Sequence, residues 1–270
     1  MKDLASLAVK IRKLSLISIH AATSGHPGGA LSSVDLLAYL FSVELKNTEY
    51  HWPHDQRHRF VLSKGHACPA LYAAAANTGW IDEDEVITLR KLNSPLQGHP
   101  CAVKLPWVEA STGSLGQGFS AAIGMAMGLK YKKSQARVYA LLGDGEMQEG
   151  QVWEGIMCAA QHKLNNLCAI IDYNKLQSDD YNENIIGLEP LKEKLHAFNW
   201  GVTEIDGHDF DDIERAFDIA RQTQDKPFMI IANTVKGKGV SYMENHPGWH
   251  GSVKMSDENL KEALADLGEK

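Results

Sequence analysis

The run Leu141-Leu142-Gly143-Asp144-Gly145-Glu146 ends an apolar stretch in an acid set between two glycines. A carboxylate there is a turn residue or a ligand, because Asp-Gly after a strand is also an ordinary turn signal. The residues downstream add weight to the ligand reading. Glu146, Glu149 and Glu154 sit on a segment of helical spacing, followed by LCAIID over 167–172 and then Tyr173-Asn174-Lys175-Leu176-Gln177. Asp144 and Asn174 are 30 positions apart (174 − 144 = 30), enough for one helix and a return strand. Both can therefore stand at one edge of adjacent parallel strands. An aspartate, an asparagine amide oxygen and a backbone carbonyl are hard oxygen donors suited to magnesium carrying a diphosphate. Gly145 would let backbone N–H groups approach that phosphate.

Histidine is the second chemical resource. Several of the 12 stand beside glycine or proline, in His26-Pro27, Gly65-His66, Gly98-His99-Pro100 and His250-Gly251, so loops carry them. Imidazole titrates near neutrality and can donate or accept a proton. His20, His51, His54, His58, His162, His196 and His246 lack such contexts and are expected to be structural or exposed. No His-x-x-x-His pair lies on a helix, which speaks against a zinc hydrolase.

These groups need a frame. Residues 137–143, 167–172 and 228–232 are short continuous apolar runs rich in β-formers, as in strands covered on both faces. Helical spacing lies between them at 150–163, 187–197 and 209–223, and upstream at 7–45 and 116–133. The alternation predicts an α/β fold, a parallel sheet flanked by helices, with ligands beyond the carboxyl ends of the strands, where Asp144 stands. Gly124 and Gly128 share one helix face, for tight packing inside the chain or for a subunit interface. Residues 255–270 predict a charged surface helix with Ser256 as N-cap and Glu258 near the first turn.

Composition narrows the function classes. Of 270 residues, 44% are apolar and 23% charged, enough for a sizeable core, and with no repeat or long linker 1–270 is read as one domain. A net charge of −7 argues against a nucleic-acid partner. The N-terminus reads as an amphipathic helix rather than a signal peptide, and no apolar run approaches the roughly 18 residues of a membrane span. Cys68, Cys101, Cys158 and Cys168 form no Cys-x-x-Cys pair, as expected of reduced thiols in a cytoplasmic protein.

The ordered strings Ser24-Gly25-His26-Pro27-Gly28, Leu62-Ser63-Lys64-Gly65-His66-Ala67, Gly98-His99-Pro100, Thr112-Gly113-Ser114-Leu115-Gly116-Gln117-Gly118, Gly143 to Gly150, Asp206-Gly207-His208-Asp209 and Trp249-His250-Gly251 span most of the chain. Together with Asp172-Tyr173-Asn174 they resemble the transketolase family, and they imply thiamine diphosphate and Mg as cofactors. The resemblance implies Asp144, Asn174 and the Leu176 carbonyl as metal ligands. It implies cofactor contacts from Gly145, Glu146, Gly113, Ser114, Leu115, His66 and His250. His26, His66, His99 and His250 would form a catalytic ring around a sugar's carbonyl and hydroxyl oxygens, Glu149 would couple two active sites across a subunit interface, and His208 would be structural.

In the family a glutamate that promotes cofactor deprotonation belongs to a separate pyrimidine-binding domain. The sequence ends at Lys270, about where the family's first domain ends. The resemblance therefore implies the N-terminal subunit of a split transketolase of the pentose phosphate type. Its partner would be a C-terminal subunit carrying the pyrimidine-binding domain, in a heterotetramer acting on sugar phosphates. Lys236-Gly237-Lys238-Gly239 is closer to the related deoxyxylulose-phosphate synthase branch, which stays open beside a non-catalytic cofactor-binding or regulatory protein.

Overall fold

Five strands build the centre: β1 (Arg59–Leu62), β2 (Val138–Gly143), β3 (Leu167–Tyr173), β4 (Gly201–Asp206) and β5 (Phe228–Asn233). In the computed structural model, which describes residues 4–45, 57–251 and 253–268, they pair in the order β1-β2-β3-β5-β4, all parallel. Side chains alternate between two cores with the strand period of two. Tyr139, Leu141, Cys168 and Ile170 enter one apolar cluster, and Val138, Ala140, Leu142, Ala169 and Ile171 the other. Burial on both faces explains why β2, β3 and β5 read as unbroken apolar runs.

The helices are α1 (Leu4–Ala22), α2 (Pro27–Ser32), α3 (Val34–Tyr39), α4 (Cys68–Asn77), α5 (Glu83–Val86), α6 (Gln117–Tyr131), α7 (Gly150–Gln161), α8 (Asn182–Ile185), α9 (Leu191–Ala197), α10 (Phe210–Gln222) and α11 (Asp257–Asp266). Helices α1 to α4 with α10 pack on the first face of the sheet, and α6, α7 and α9 on the second. Helix α4 is buried from Cys68 to Ala76, and its alanines allow α1 to lie close. At the edge where the strands begin, Lys130 donates to the carbonyl of His162 at 3.1 Å and Arg137 to that of Ala220 at 2.8 Å. Cations there offset the negative ends of α7 and α10.

Several expectations need correction. The helical stretch expected over 7–45 is three helices and a π-helical turn, Leu40–Glu44, and it breaks at Thr23, whose φ is 54°. That break is what puts His26 in a loop. Both edge strands were missed: β1 has only four residues, and β4 is largely half exposed, so neither shows the double-sided apolar pattern. Residues 187–190 precede α9 rather than starting it. Gly124 and Gly128 are exposed, and an added Cβ would meet nothing within 4 Å, so they serve no tight packing inside the chain. Ser256 is the N-cap of α11 and Glu258 stands in its first turn, as expected, and the reciprocal partner in the capping box is Asn259. His51 and His54 lie outside the described residues. Among the described residues no helix is long and apolar enough to cross a membrane.

One ionic network ties the helical layer to the β4 and β5 loops. Arg12 on α1 grips Asp35 on α3 through two bonds of 3.1 and 2.5 Å, and its Nε donates to the Lys238 carbonyl at 3.1 Å. His208, after β4, contacts Asp35 through Nδ1 at 2.6 Å and accepts the Val235 N–H through Nε2 at 2.8 Å. His208 is thus structural, as expected. Removing one partner of a buried pair leaves an uncompensated charge. Arg12→Met should therefore lower the unfolding free energy by about 3 kcal/mol in urea titration. A loss below about 1 kcal/mol would mean the network is not stabilising in this way.

Candidate active site

The strand register brings the carboxyl ends of β1, β2, β3 and β5 to one edge. Asp172, fully buried near the end of β3, knots them together. Its Oδ2 accepts from Lys64 Nζ, from Ser32 Oγ at 2.6 Å and from Asn174 Nδ2 at 3.3 Å, and its Oδ1 accepts from Thr234 Oγ1. Lys64 also donates to the Gly29 carbonyl at 2.9 Å. Burial works to raise the Asp172 pKa, but Lys64, Ser32 and Thr234 outweigh it and hold the group below its ordinary value. The carboxylate is held as an anion, because every group that bonds to it donates a hydrogen bond to it.

Above this knot lies an oxygen-rich cradle. Asp144 caps the 3-10 turn Gly145–Gln148, accepting from Gly145 N at 2.8 Å, and its other oxygen accepts from Lys175 N. Asn174 Oδ1 accepts from Leu176 N at 3.2 Å, and the Leu176 carbonyl accepts from Lys236 Nζ at 2.5 Å. Asp144 is only 3% exposed. Burial, then the neighbouring Asp172 charge, pushes its pKa up to about 6. Burial brings Lys236 down to about 7, with Asp144 resisting and Lys64 assisting. The carboxylate, amide oxygen and carbonyl could hold a hard divalent cation, and such a charge would relieve the burden on Asp144. Among the described residues no cluster of three or more His, Cys, Asp or Glu side chains offers a rival metal site.

Four histidines share the same open cleft of about 1000 Å³ with Gly113, Leu115, Asp144, Asn174 and Leu176. The His26 and His66 ring centroids are 5.4 Å apart, His66 and His250 5.5 Å, and His26 and His250 6.1 Å. His99 lies across the cleft against Gly113, where an added Cβ would come within 2.9 Å of its ring. Burial lowers all four pKa values, aided by different cations: Arg90 at His26 and His99, Lys64 at His66, and Lys236 at His250. His26 falls to about 4 and His250 to about 3. The imidazoles are therefore neutral at pH 7, each with one donor and one acceptor nitrogen.

The loop 112–118 forms the opposite wall. Gly113 has φ 141° and Gly116 φ 81°, conformations that favour glycine. Glu146, expected on a helix with Glu149, instead occupies the 3-10 turn and is buried. Its carboxylate accepts from Ser63 Oγ at 2.5 Å, Gly116 N at 2.7 Å and Gly143 N at 3.0 Å, bracing the wall. Gln151 Nε2 holds the Leu115 carbonyl at 2.8 Å. Ser114 is exposed and outside the cleft lining, between two residues that line it, while Glu149 is exposed at the cleft mouth as the N-cap of α7. Sequence reasoning missed Lys64, Asp172 and Lys236 as parts of the site. The adjacency of Lys64 to Gly65-His66 was the available signal for the first.

A parallel α/β domain with an acid–amide cradle and neutral histidines at the carboxyl edge of its sheet is the nucleotide- or diphosphate-binding type of enzyme domain. Residues 4–270 match the family model described as transketolase, thiamine diphosphate binding domain. The chain belongs to this transketolase N-terminal family. It is 43% identical over 267 residues to 6-deoxy-6-sulfo-D-fructose transketolase subunit SqwG of Clostridium sp. (strain MSTE9), covering 98% of this chain and 96% of that one. It is 39% identical over 265 residues to an apulose-4-phosphate transketolase subunit of Phocaeicola vulgatus, covering 97% and 92%. Transketolase of Homo sapiens is 39% identical over the whole of this chain but over only 43% of its own length. The transketolase structure from Campylobacter jejuni superposes with a TM-score of 0.92 at 32% identity, covering 99% of this chain and 43% of that one. Its relatives are thus ketol-transferring enzymes and subunits of such enzymes.

The pKa of Asp144 carries a stability cost. Its unfolded value is 3.8 and its folded value about 6, so the fold retains a proton the unfolded chain has released. Its contribution is full below about 4 and lost as pH rises to about 6. In chelator-treated protein at pH 7, Asp144→Asn is expected to raise stability by about 1 kcal/mol, because the amide removes the charge but leaves one of the two backbone N–H groups without its acceptor. Equal or lower stability would contradict this charge burden.

Proposed function

We propose that this chain is the diphosphate-binding subunit of a split, thiamine diphosphate-dependent transketolase. The carrying observation is that a cation cradle and a ring of neutral histidines open into one cleft. Similarity along nearly the whole chain to relatives named as transketolase subunits supports the split arrangement. In this reading 1–270 is a single domain, and a second polypeptide supplies the pyrimidine-binding domain, in a heterotetramer. Its substrates are a ketose and an aldose bearing phosphate or a similar anion, with the pentose phosphate pathway as one setting. Four unpaired cysteines fit a cytoplasmic location.

Asp144, Asn174 and the Leu176 carbonyl would hold Mg. Gly145, with the backbone of Gly113, Ser114 and Leu115, would receive the cofactor, and Glu146 would serve it by keeping that wall in place. The cofactor supplies a thiazolium carbon that carries the two-carbon fragment. The chain's own part is proton management. Neutral His26 and His99 can each donate to a sugar oxygen through one nitrogen and accept a hydroxyl proton through the other. His66 and His250, beside Lys64 and Lys236, would face the diphosphate side of the reacting centre. Glu149, exposed at the mouth, would meet a second subunit. Lys236-Gly237-Lys238-Gly239 serves here as a turn, with Gly237 at φ 78° donating to the Gly28 carbonyl at 3.0 Å.

The chain alone should transfer no ketol group, and transfer should appear on addition of the partner subunit. Turnover by the rigorously purified chain would overturn the split reading. With Mg present, Asp144→Ala should weaken thiamine diphosphate binding at least about tenfold by calorimetry, because its place at the metal is lost. Unchanged affinity would remove that role. His26→Ala in the complex should lower kcat about 100-fold while cofactor affinity holds. Parallel loss of both would assign His26 to the cofactor or to folding instead.

A further inference from the structure

Two loops carry His26 and His99, and neither is part of a helix or strand. We propose that Arg90 is the positioning residue of the histidine cleft, its guanidinium joining these two loops and setting the distance between the two imidazoles. Nη1 donates to Ser24 Oγ at 3.0 Å, two residues before His26. On the other side the guanidinium lies flat against Gly98, the residue before His99. A Cβ on Gly98 would sit 2.7 Å from both Cζ and Nε, so a side chain there would displace the guanidinium.

The backbone around Arg90 is shaped for this contact. Arg90 takes φ 59°, a left-handed conformation unusual for a residue with a side chain, and its N–H donates to the Leu96 carbonyl at 2.9 Å. The intervening turn thereby folds back and delivers 97–99 to the guanidinium. From beneath, the Tyr72 hydroxyl donates to the Gln97 carbonyl at 3.0 Å, so buried α4 seats the same segment. One side chain therefore replaces the regular structure that both loops lack.

The same guanidinium has an electrostatic effect. After burial it is the largest influence lowering the pKa of His26, ahead of His99 and Lys236, and after burial it also lowers the pKa of His99. The rings of His66 and His250 also face His26. Burial first, and Arg90 after it, favour the neutral form of both imidazoles, so each retains an acceptor nitrogen when a hydroxyl proton must leave.

The test uses the whole chain and three substitutions. Histidine 15N NMR titration of the native chain and of Arg90→Met should show His26 and His99 titrating at higher pH in the variant. The distant His58, which accepts the Arg137 N–H, should be unmoved and reports an intact fold. Arg90→Lys keeps the charge and should restore most of the depression. Gly98→Ala keeps the charge but displaces it, so it should disturb the clamp with smaller pKa changes. In the complex with the partner subunit, Arg90→Met should lower kcat about tenfold or more, with the acid limb of the rate profile moved upward. Gly98→Ala should lower kcat with the limb nearly in place. Unchanged titration of both histidines in a folded Arg90→Met chain would overturn the electrostatic part, and unchanged kcat in Arg90→Met and Gly98→Ala would overturn the clamp. The rate measurements rest on the ketol-transfer reading. If the native complex proves inactive, the NMR arm, with Gly98→Ala shifting the His26 and His99 ring signals, still judges Arg90.

Discussion

The site hangs on the buried ion pair between Lys64 and Asp172. Neither group is exposed to water, and each is satisfied by several partners, which is the condition under which a buried pair holds rather than disrupts a fold. Lys64 follows β1, Asp172 ends β3, Thr234 follows β5, and Ser32 and Gly29 belong to α2. Four separate chain segments are therefore fixed to one point. Asn174, two residues beyond Asp172, has its amide turned by the same carboxylate, so its oxygen is directed toward the cradle. The pair sets the orientation of a ligand without being one.

A second constraint is the concentration of positive charge around uncharged imidazoles. Lys64, Arg90 and Lys236 surround the four histidines, and each suppresses the protonation of a neighbour. An anionic ligand would neutralise this field. The carboxylates answer it unequally: Asp172 is held ionised by direct bonds, whereas Asp144 is left with its proton affinity raised. Two buried acids within one edge of the sheet thus have their proton affinities moved in opposite directions, because only one has a cation bonded to it. Asp144 is the group that gains most from a bound metal ion.

The wall formed by 112–118 shows how close approach selects residue types. A Cβ on Gly65 would meet Thr112 Oγ1 at 2.7 Å, and one on Gly118 would meet the Ser63 Cα at 2.7 Å. These contacts press the loop onto the end of β1, while Glu146 ties its backbone to the turn after β2. The cleft is closely packed on this side through backbone contact, and open at the mouth where Glu149 stands.

Much of this was legible in the sequence. The three central strands, the placement of Asp144 and Asn174 at one edge, and the four loop histidines follow from local patterns: unbroken apolar runs, a spacing of one helix and a strand, and glycine or proline beside histidine. Local pattern suffices where a residue's neighbours along the chain determine its state. It failed for β1 and β4, whose edge positions weaken the apolar signal, and for Glu146, whose carboxylate is claimed by groups far along the chain. The roles of Lys64, Asp172, Lys236 and Arg90 were decided only by tertiary structure. A buried charge is tolerated or not according to partners that the fold alone brings near, and Ser32, which bonds Asp172, lies 140 residues from it. The residue types able to do the chemistry are set by the sequence itself, while the charge states in which they do it are set by burial and by those distant neighbours.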